Sequence, residues 1–210
     1  MQPVRPLVVA CGALAADLRA VLQADGLDRH VEVEYLPANL HNRPERIAPA
    51  LRPRLEAAAD AGQPVFVAYA DCGTGGALDA LLAEFPGVER LPGAHCYEVF
   101  AGGPQFMALQ DAELGTFYLT DFLARHFDAL VWTGLGLDRH PELRDLYFGA
   151  YRRVVFLGQA ADADLVARAR AAADRLGLTF EQCNTGRDGL GAPVRAFAYR
   201  NEALHAAARE

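Results

Sequence analysis

The hydrophobic pattern switches repeatedly between a run suited to a strand and a spacing suited to a helix. Leu7-Val8-Val9-Ala10 is a short apolar run ending in Cys11-Gly12, after which Leu14, Leu18, Val21 and Leu22 recur at helical spacing up to the stop signal Asp25-Gly26. Val31, Val33 and Tyr35 then alternate with Glu32 and Glu34, which predicts a half-buried edge strand delivering the loop Pro37-Ala38-Asn39-Leu40-His41-Asn42. Pro44 opens a helix carried by Ile47, Leu51 and Leu55, with Pro49 and Pro53 making its first half irregular. Pro64 to Ala70 is apolar on both faces, as a central parallel strand is, and Ala77 to Phe85 reads as the helix after it.

The second half continues the theme with weaker punctuation. Val88 to Leu91 is a minor strand candidate, and Tyr97 to Asp128 reads as mostly helical, interrupted at Gly102-Gly103-Pro104 and Gly115-Thr116, with Leu119, Phe122, Leu123, His126 and Phe127 on one apolar face. Leu130-Val131-Trp132 fits either a strand or a helix tail. Pro141 to Tyr147 suggests a short helix, Arg152 to Gly158 a strand, Ala163 to Leu176 a helix with acids at its start, and Leu178 to Gln182 a strand ending at Cys183. A helix from Phe197 to Arg209 closes the pattern.

Alternating strands and helices predict an α/β fold: an open, mostly parallel sheet of flavodoxin-like or Rossmann-like type with helices on both faces. Strand, small-residue turn, helix, Gly-Leu stop and strand occur in that order from Leu7 to Tyr35 and again from Val154 to Phe180. The 210 residues are therefore expected to form a single α/β domain, with two related α/β halves as the other arrangement.

Composition narrows the partners. Hydrophobic residues make up 52% of the chain, enough for a full core. The net charge of -7, with arginines scattered among acids, argues against nucleic acid as a partner. No apolar run approaches the roughly 18 residues of a spanning helix, and the run before Cys11 is too short for a signal core, so no membrane association is expected. Four cysteines without an export signal point to reduced thiols in the cytoplasm.

Those cysteines change the picture most. Cys11, His41, Cys72, His95 with Cys96, and Cys183 each follow a predicted strand, and in an open parallel sheet the carboxyl ends of all strands share one edge, where ligands bind. If the first and third strands are neighbours, Cys11 and Cys72 lie about one strand spacing of 4.8 Å apart. Cys11, His41, Cys72, His95 and Cys96 are accordingly candidate zinc ligands, since mixed thiolate and imidazole donors suit that metal. Cys72 has a second candidate role as a nucleophile beside Asp71 as base or orienter. Gly73, Thr74 and Gly75, leading into a helix, could offer backbone N–H groups to an anion or a cofactor. The Gly-x-Gly-x-x-Gly spacing and the P-loop lysine are both missing.

The motifs Ala10-Cys11-Gly12, Leu36 to Pro44, Asp71-Cys72-Gly73 and His95-Cys96 together resemble the domain of unknown function 1638 family, and the resemblance continues through Gly115 to Thr120 and Tyr147-Phe148-Gly149. It implies an accessory or enzymatic role in one-carbon or methylamine-type metabolism, with Cys11, His41, Cys72 and Cys96 as the matching positions and a corrinoid methyltransferase system as partner. The chain departs from the pattern at Ala70, where a glycine is usual, and at the direct His95-Cys96 junction, where an acid is usual. It has no Asp-x-His-x-x-Gly motif and is not expected to bind the corrinoid itself.

Three functional readings follow. The first is a zinc-dependent α/β protein binding or acting on a small-molecule ligand. The second is a cofactor-independent enzyme using two cysteines, since Cys72-Gly73-Thr74-Gly75 and Cys183-Asn184-Thr185-Gly186 resemble the paired elements of amino-acid racemases. The third is a sensor or binding protein with an iron–sulfur cluster. The sequence leaves a homo-oligomer open and does not say whether Cys183 joins the site.

Overall fold

The computed structural model describes residues 4–160 and 162–207. The chain has an α/β fold of parallel sheets flanked by helices, and it divides into two compact units, Met1–Val99 with Asp188–Glu210, and Phe100–Arg187. Each unit carries its own sheet.

In the first unit, β1 (Leu7–Cys11), β2 (Glu32–Leu36), β3 (Val65–Ala68) and β4 (Glu89–Arg90) form a sheet in the order β2-β1-β3-β4. All its pairings are parallel. β1 and β3 are buried at every position, which is why they read as unbroken apolar runs, whereas edge strand β2 buries only Leu36 and leaves Tyr35, expected to face inward, exposed. The connection from β1 to β2, through α1 (Ala15–Ala24), steps one way along the sheet. The connection from β2 to β3, through α2 (Ile47–Asp60), steps back across β1. Right-handed crossovers then place α1 and α2 on opposite faces and open a crevice between the carboxyl ends of β1 and β3. α1 packs with α9 (Asp188–Ala207), and α2 with α3 (Ala77–Leu82). Phe66 of β3 meets Phe197 of α9 at 5.5 Å between ring centres. Expected to run from Phe197 to Arg209, this last helix begins earlier; residues 208–210 lie outside those described.

α4 (Cys96–Ala101) begins in this unit, and α5 (Gly103–Ala112) follows in the second. There β5 (Thr116–Thr120), β6 (Arg153–Gly158) and β7 (Thr179–Asn184) form a sheet in the order β5-β6-β7, again all parallel. Here the winding never reverses. α6 (Asp121–Arg125), α7 (Leu143–Phe148) and α8 (Ala163–Leu176) supply the connections. Leu119, Phe127, Phe148, Val154, Phe156, Leu165 and Leu176 form the core between them.

Two expectations need correction. Within the stretch from Tyr97 to Asp128, which is mostly helical as expected, Leu119 does not share a helical face with Phe122: Thr116–Thr120 is a strand whose last residue caps the next helix by accepting a hydrogen bond from the Leu123 N–H. Leu130-Val131-Trp132 is neither a strand nor an ordinary helix tail but part of a π-helical turn, Asp128–Trp132.

Candidate functional site

The carboxyl edge of the first sheet gathers the side chains that carry chemistry. Cys11 is the last residue of β1 and pairs in register with Leu36, while Ala10 pairs with Ala68. One step further along that register, Cys11 comes abreast of Tyr69 on the neighbouring strand. The Cys11 thiol is buried and accepts a 3.4 Å hydrogen bond from the Ala13 N–H, capping the short 3₁₀ turn that follows. Gly12 allows the adjoining loop to close over it: a Cβ there would sit 2.9 Å from the Leu36 carbonyl oxygen and 3.3 Å from the Ala38 nitrogen.

That loop is a pair of 3₁₀ turns, Ala38–Asn42 and Pro44–Arg46. With three residues per turn, Ala38, His41, Pro44 and Ile47 fall on the inward row, and all four are at least partly buried. His41 Nδ1 lies 3.6 Å from Cys11 Sγ and 3.2 Å from the Ala38 carbonyl. A carbonyl oxygen only accepts, so this contact assigns the ring proton to Nδ1 and leaves the lone pair on Nε2. The His41 ring lies near-parallel to Tyr69 at 6.1 Å. Burial lowers the His41 pKa, the Ala38 hydrogen bond partly offsets this, and nearby His95 lowers it further.

Cys72 occupies an unusual backbone conformation. Its φ of +52° is left-handed, the only such non-glycine value among the described residues, and costs about 1–2 kcal/mol. Two hydrogen bonds hold it there: the Cys72 N–H to the Ala94 carbonyl at 2.8 Å and the Asp71 N–H to the Gly93 carbonyl at 3.2 Å. Burial pushes the Cys72 thiol up to about 11, with the neighbouring Cys11 adding to the shift and the Cys96 N–H opposing it. Cys96 opens α4 and is only partly enclosed as a residue. Its thiol is nevertheless raised strongly by burial, then by Cys72 and Cys11. The three thiols thus sense one another, and in each case burial is the dominant cause of the upward shift.

Tyr69 stands at the centre of this group. It is fully buried, and its hydroxyl faces the Cys11 thiol, a weak sulfur partner whose contact falls outside normal hydrogen-bond geometry. Burial raises its pKa most, followed by Cys11 and then Cys72. A thiol is a weak acceptor, so the Tyr69 hydroxyl is less well satisfied than it would be against oxygen. Nothing in the sequence singled it out beyond its place beside Asp71-Cys72.

The remaining candidates are arranged differently. Asp71 turns back into its own loop, accepting from the Thr74 hydroxyl at 2.5 Å, the Gly76 N–H at 3.1 Å and the Gly75 N–H at 3.2 Å. These bonds, led by Thr74, lower its pKa. The backbone donors of Gly73, Gly75 and Gly76 therefore face a carboxylate that the chain itself provides. Thr74 Oγ1 also accepts from the Leu78 N–H, fastening the loop to α3. His95 is exposed, beside Tyr97. In the second unit, Cys183 lies within β7 and accepts a 3.1 Å hydrogen bond from Gln105 Nε2. Its pKa is raised by burial and then by Glu181. Its tetrapeptide therefore adopts a conformation different from the left-handed turn at Cys72.

Cys11, His41, Cys72 and Cys96 carry the thiol and imidazole donor types that suit a transition metal such as zinc. As placed, no three His, Cys, Asp or Glu side chains among the described residues converge tightly enough to hold a metal ion. Side-chain rotation at the cluster would be required.

A family model described as "Protein of unknown function (DUF1638)" matches residues 35–191, about three quarters of the chain, and the chain belongs to that family. The match spans His41, Cys72, His95, Cys96 and Cys183 and begins after Cys11. None of the curated proteins matches. Among the described residues no helix is long and apolar enough to cross a membrane.

Proposed function

We propose that this DUF1638 protein binds a transition metal, zinc by donor type, at the carboxyl edge of its first sheet and uses it to bind or act on a small molecule. The observation that carries the reading is the convergence of Cys11, Cys72 and Cys96, from three separate chain segments, on one buried cluster in which Cys96 senses both other thiols and Tyr69 lies against Cys11. Each thiol is made less acidic by burial, and no neighbouring cation heads the causes of any of the three shifts. A divalent cation is the partner that converts such buried thiols to thiolates. Cys11, Cys72 and Cys96 would be the sulfur ligands, and His41 would bind through Nε2, with Nδ1–H held by the Ala38 carbonyl in the manner of an oriented metal-binding imidazole.

Zinc in this setting supplies Lewis acidity toward a bound substrate oxygen or thiol. The chain supplies the rest. The strained turn fixes Cys72, the Gly12 contact brings His41 to Cys11, and the buried walls exclude water. Reduced thiols of this kind suit the cytoplasm.

Elemental analysis of protein purified without added metal tests the reading. About one equivalent of zinc, lost in Cys72→Ser, supports it; less than half an equivalent, unchanged by that substitution, removes it. The same preparation, kept anaerobic, separates the alternatives. Iron with broad visible absorbance favours the cluster protein. Metal-free protein whose Cys72 and Cys183 label rapidly at mildly acidic pH favours the two-thiol enzyme.

A further inference from the structure

Beside His41, on the outward rows of the same 3₁₀ turns, lies an open pocket of about 420 Å³ lined by Asn39, Leu40, Asn42, Arg43 and Arg46. The three-residue repeat that turns His41 toward Cys11 also groups these residues: Leu40, Arg43 and Arg46 recur at intervals of three, as do Asn39 and Asn42. The imidazole and the pocket thus belong to one short segment, whose two turns are joined at Arg43 with φ of -146° and ψ of 67°.

The charges of the pocket are unbalanced. Elsewhere in this unit Arg52 pairs with Glu84, Arg54 with Glu34, Arg90 with Asp79, Arg195 with Asp25 and Arg200 with Glu89. Among the described residues no carboxylate lies within ion-pair distance of Arg43 or Arg46, although the chain as a whole carries a net charge of -7. Glu45, between them in sequence, does not line the pocket. Two guanidinium forks and two amides around one concavity make up the donor set that recognises a carboxylate or a phosphate, since arginine can engage two oxygens of such a group at once.

We infer that the small molecule handled at this edge carries an anionic group, a carboxylate or a phosphate, and that Arg43 and Arg46 bind it with help from Asn39 and Asn42. The inference rests on the proposed Cys/His centre for the identity of the reacting end, while the anion pocket stands on its own residues. Anchoring the charged end on the segment that carries His41 would leave the rest of the molecule within reach of that imidazole and the thiols behind it. Anion recognition moves from the Gly73–Gly76 turn, whose donors Asp71 occupies, to the loop on the other side of Cys11.

Calorimetric titration at low ionic strength with inorganic phosphate and, separately, with acetate tests this on the full chain. Wild type should bind at least one of them. Arg43→Gln with Arg46→Gln should weaken that binding at least about tenfold while leaving zinc content and thermal stability unchanged, because both side chains are exposed and unpaired. Preference for phosphate assigns a phosphorylated ligand, preference for acetate a carboxylate. No binding of either anion up to about 20 mM, about 2.3 kcal/mol on the affinity scale, overturns the inference, as does equal binding by the double variant. The metal reading fails separately: a protein without zinc that still binds anions through these arginines removes the metal and keeps the pocket.

Discussion

The two sheets of this protein are built by the same rule and end differently. Both are parallel, and both bury apolar strands beneath helices. In the first the winding reverses between β1 and β3, and the crevice that opens there holds three thiols, an imidazole and a buried hydroxyl that meets only a thiol. In the second the winding proceeds in one direction, and the carboxyl ends of β5 and β6 are tied together by a satisfied network. Asp121, buried at the start of α6, accepts hydrogen bonds from the Gln159 N–H at 3.0 Å and the Ala160 N–H at 2.8 Å, while Gln159 Oε1 accepts from the Asp121 N–H at 2.8 Å. One edge pairs its polar groups through long, weak contacts to sulfur, and the other closes with short bonds between oxygen and nitrogen. Reversal of winding, more than the presence of parallel strands, is what separates a site from a joint.

The sharpest way to break this contrast is to remove thiols from each edge in turn. Cys11→Ser or Cys72→Ser should drop zinc occupancy from about one equivalent to below about 0.2. Cys183→Ser should leave it unchanged, as read by elemental analysis after gel filtration; equal losses from all three would dissolve the distinction. Next in size is the second edge. Asp121→Ala leaves two buried N–H groups unpaired and should cost about 3 kcal/mol in urea unfolding, without changing metal content.

Titration provides a third contrast. Cys72 is raised from about 9 to about 11 on folding. Folded metal-free protein therefore keeps this proton where the unfolded chain releases it. That contribution, on the order of 2 kcal/mol, is complete below pH 9 and is lost as pH rises toward 11. The melting temperature of metal-free wild type should fall across that window, and less steeply in Cys72→Ser. Zinc must displace the same protons, so its affinity should rise with pH between about 6 and 9. The smallest expected change in stability belongs to Cys72→Gly: relief of the left-handed strain offsets the lost side-chain burial, and metal-free stability should stay within about 1 kcal/mol of wild type, as read by urea unfolding.

Much of this was legible because burial writes itself into periodicity. β1 and β3 read as unbroken apolar runs, and α8 showed both its acidic start and its Gly177 stop, which the structure realises as a left-handed residue with φ of +69°. The flavodoxin-like strand order implied that Cys11 and Cys72 meet. β5 escaped because Thr116-Phe117-Tyr118-Leu119-Thr120 runs without a gap into a helix, so that Leu119, Phe122 and Leu123 mimic one helical face. The π-helical turn at Asp128–Trp132 escaped because one extra residue in a turn shifts the spacing that would identify it. At the site the residue types were legible and their commitments were not. Asp71 gives its oxygens to its own loop, the pocket beside His41 is gathered by two short 3₁₀ turns, and Tyr69 is distinguished by its burial against the Cys11 thiol.

The backbone at Cys72 also bears on how this sequence would change under mutation. Glycine, or more weakly asparagine, is what a left-handed position favours, and the turn around it is already rich in glycine. A chain under no demand for a thiol would gain by drifting to either. Cysteine here runs against the local conformational gradient, so its retention in any variant reports selection on the sulfur rather than on the fold.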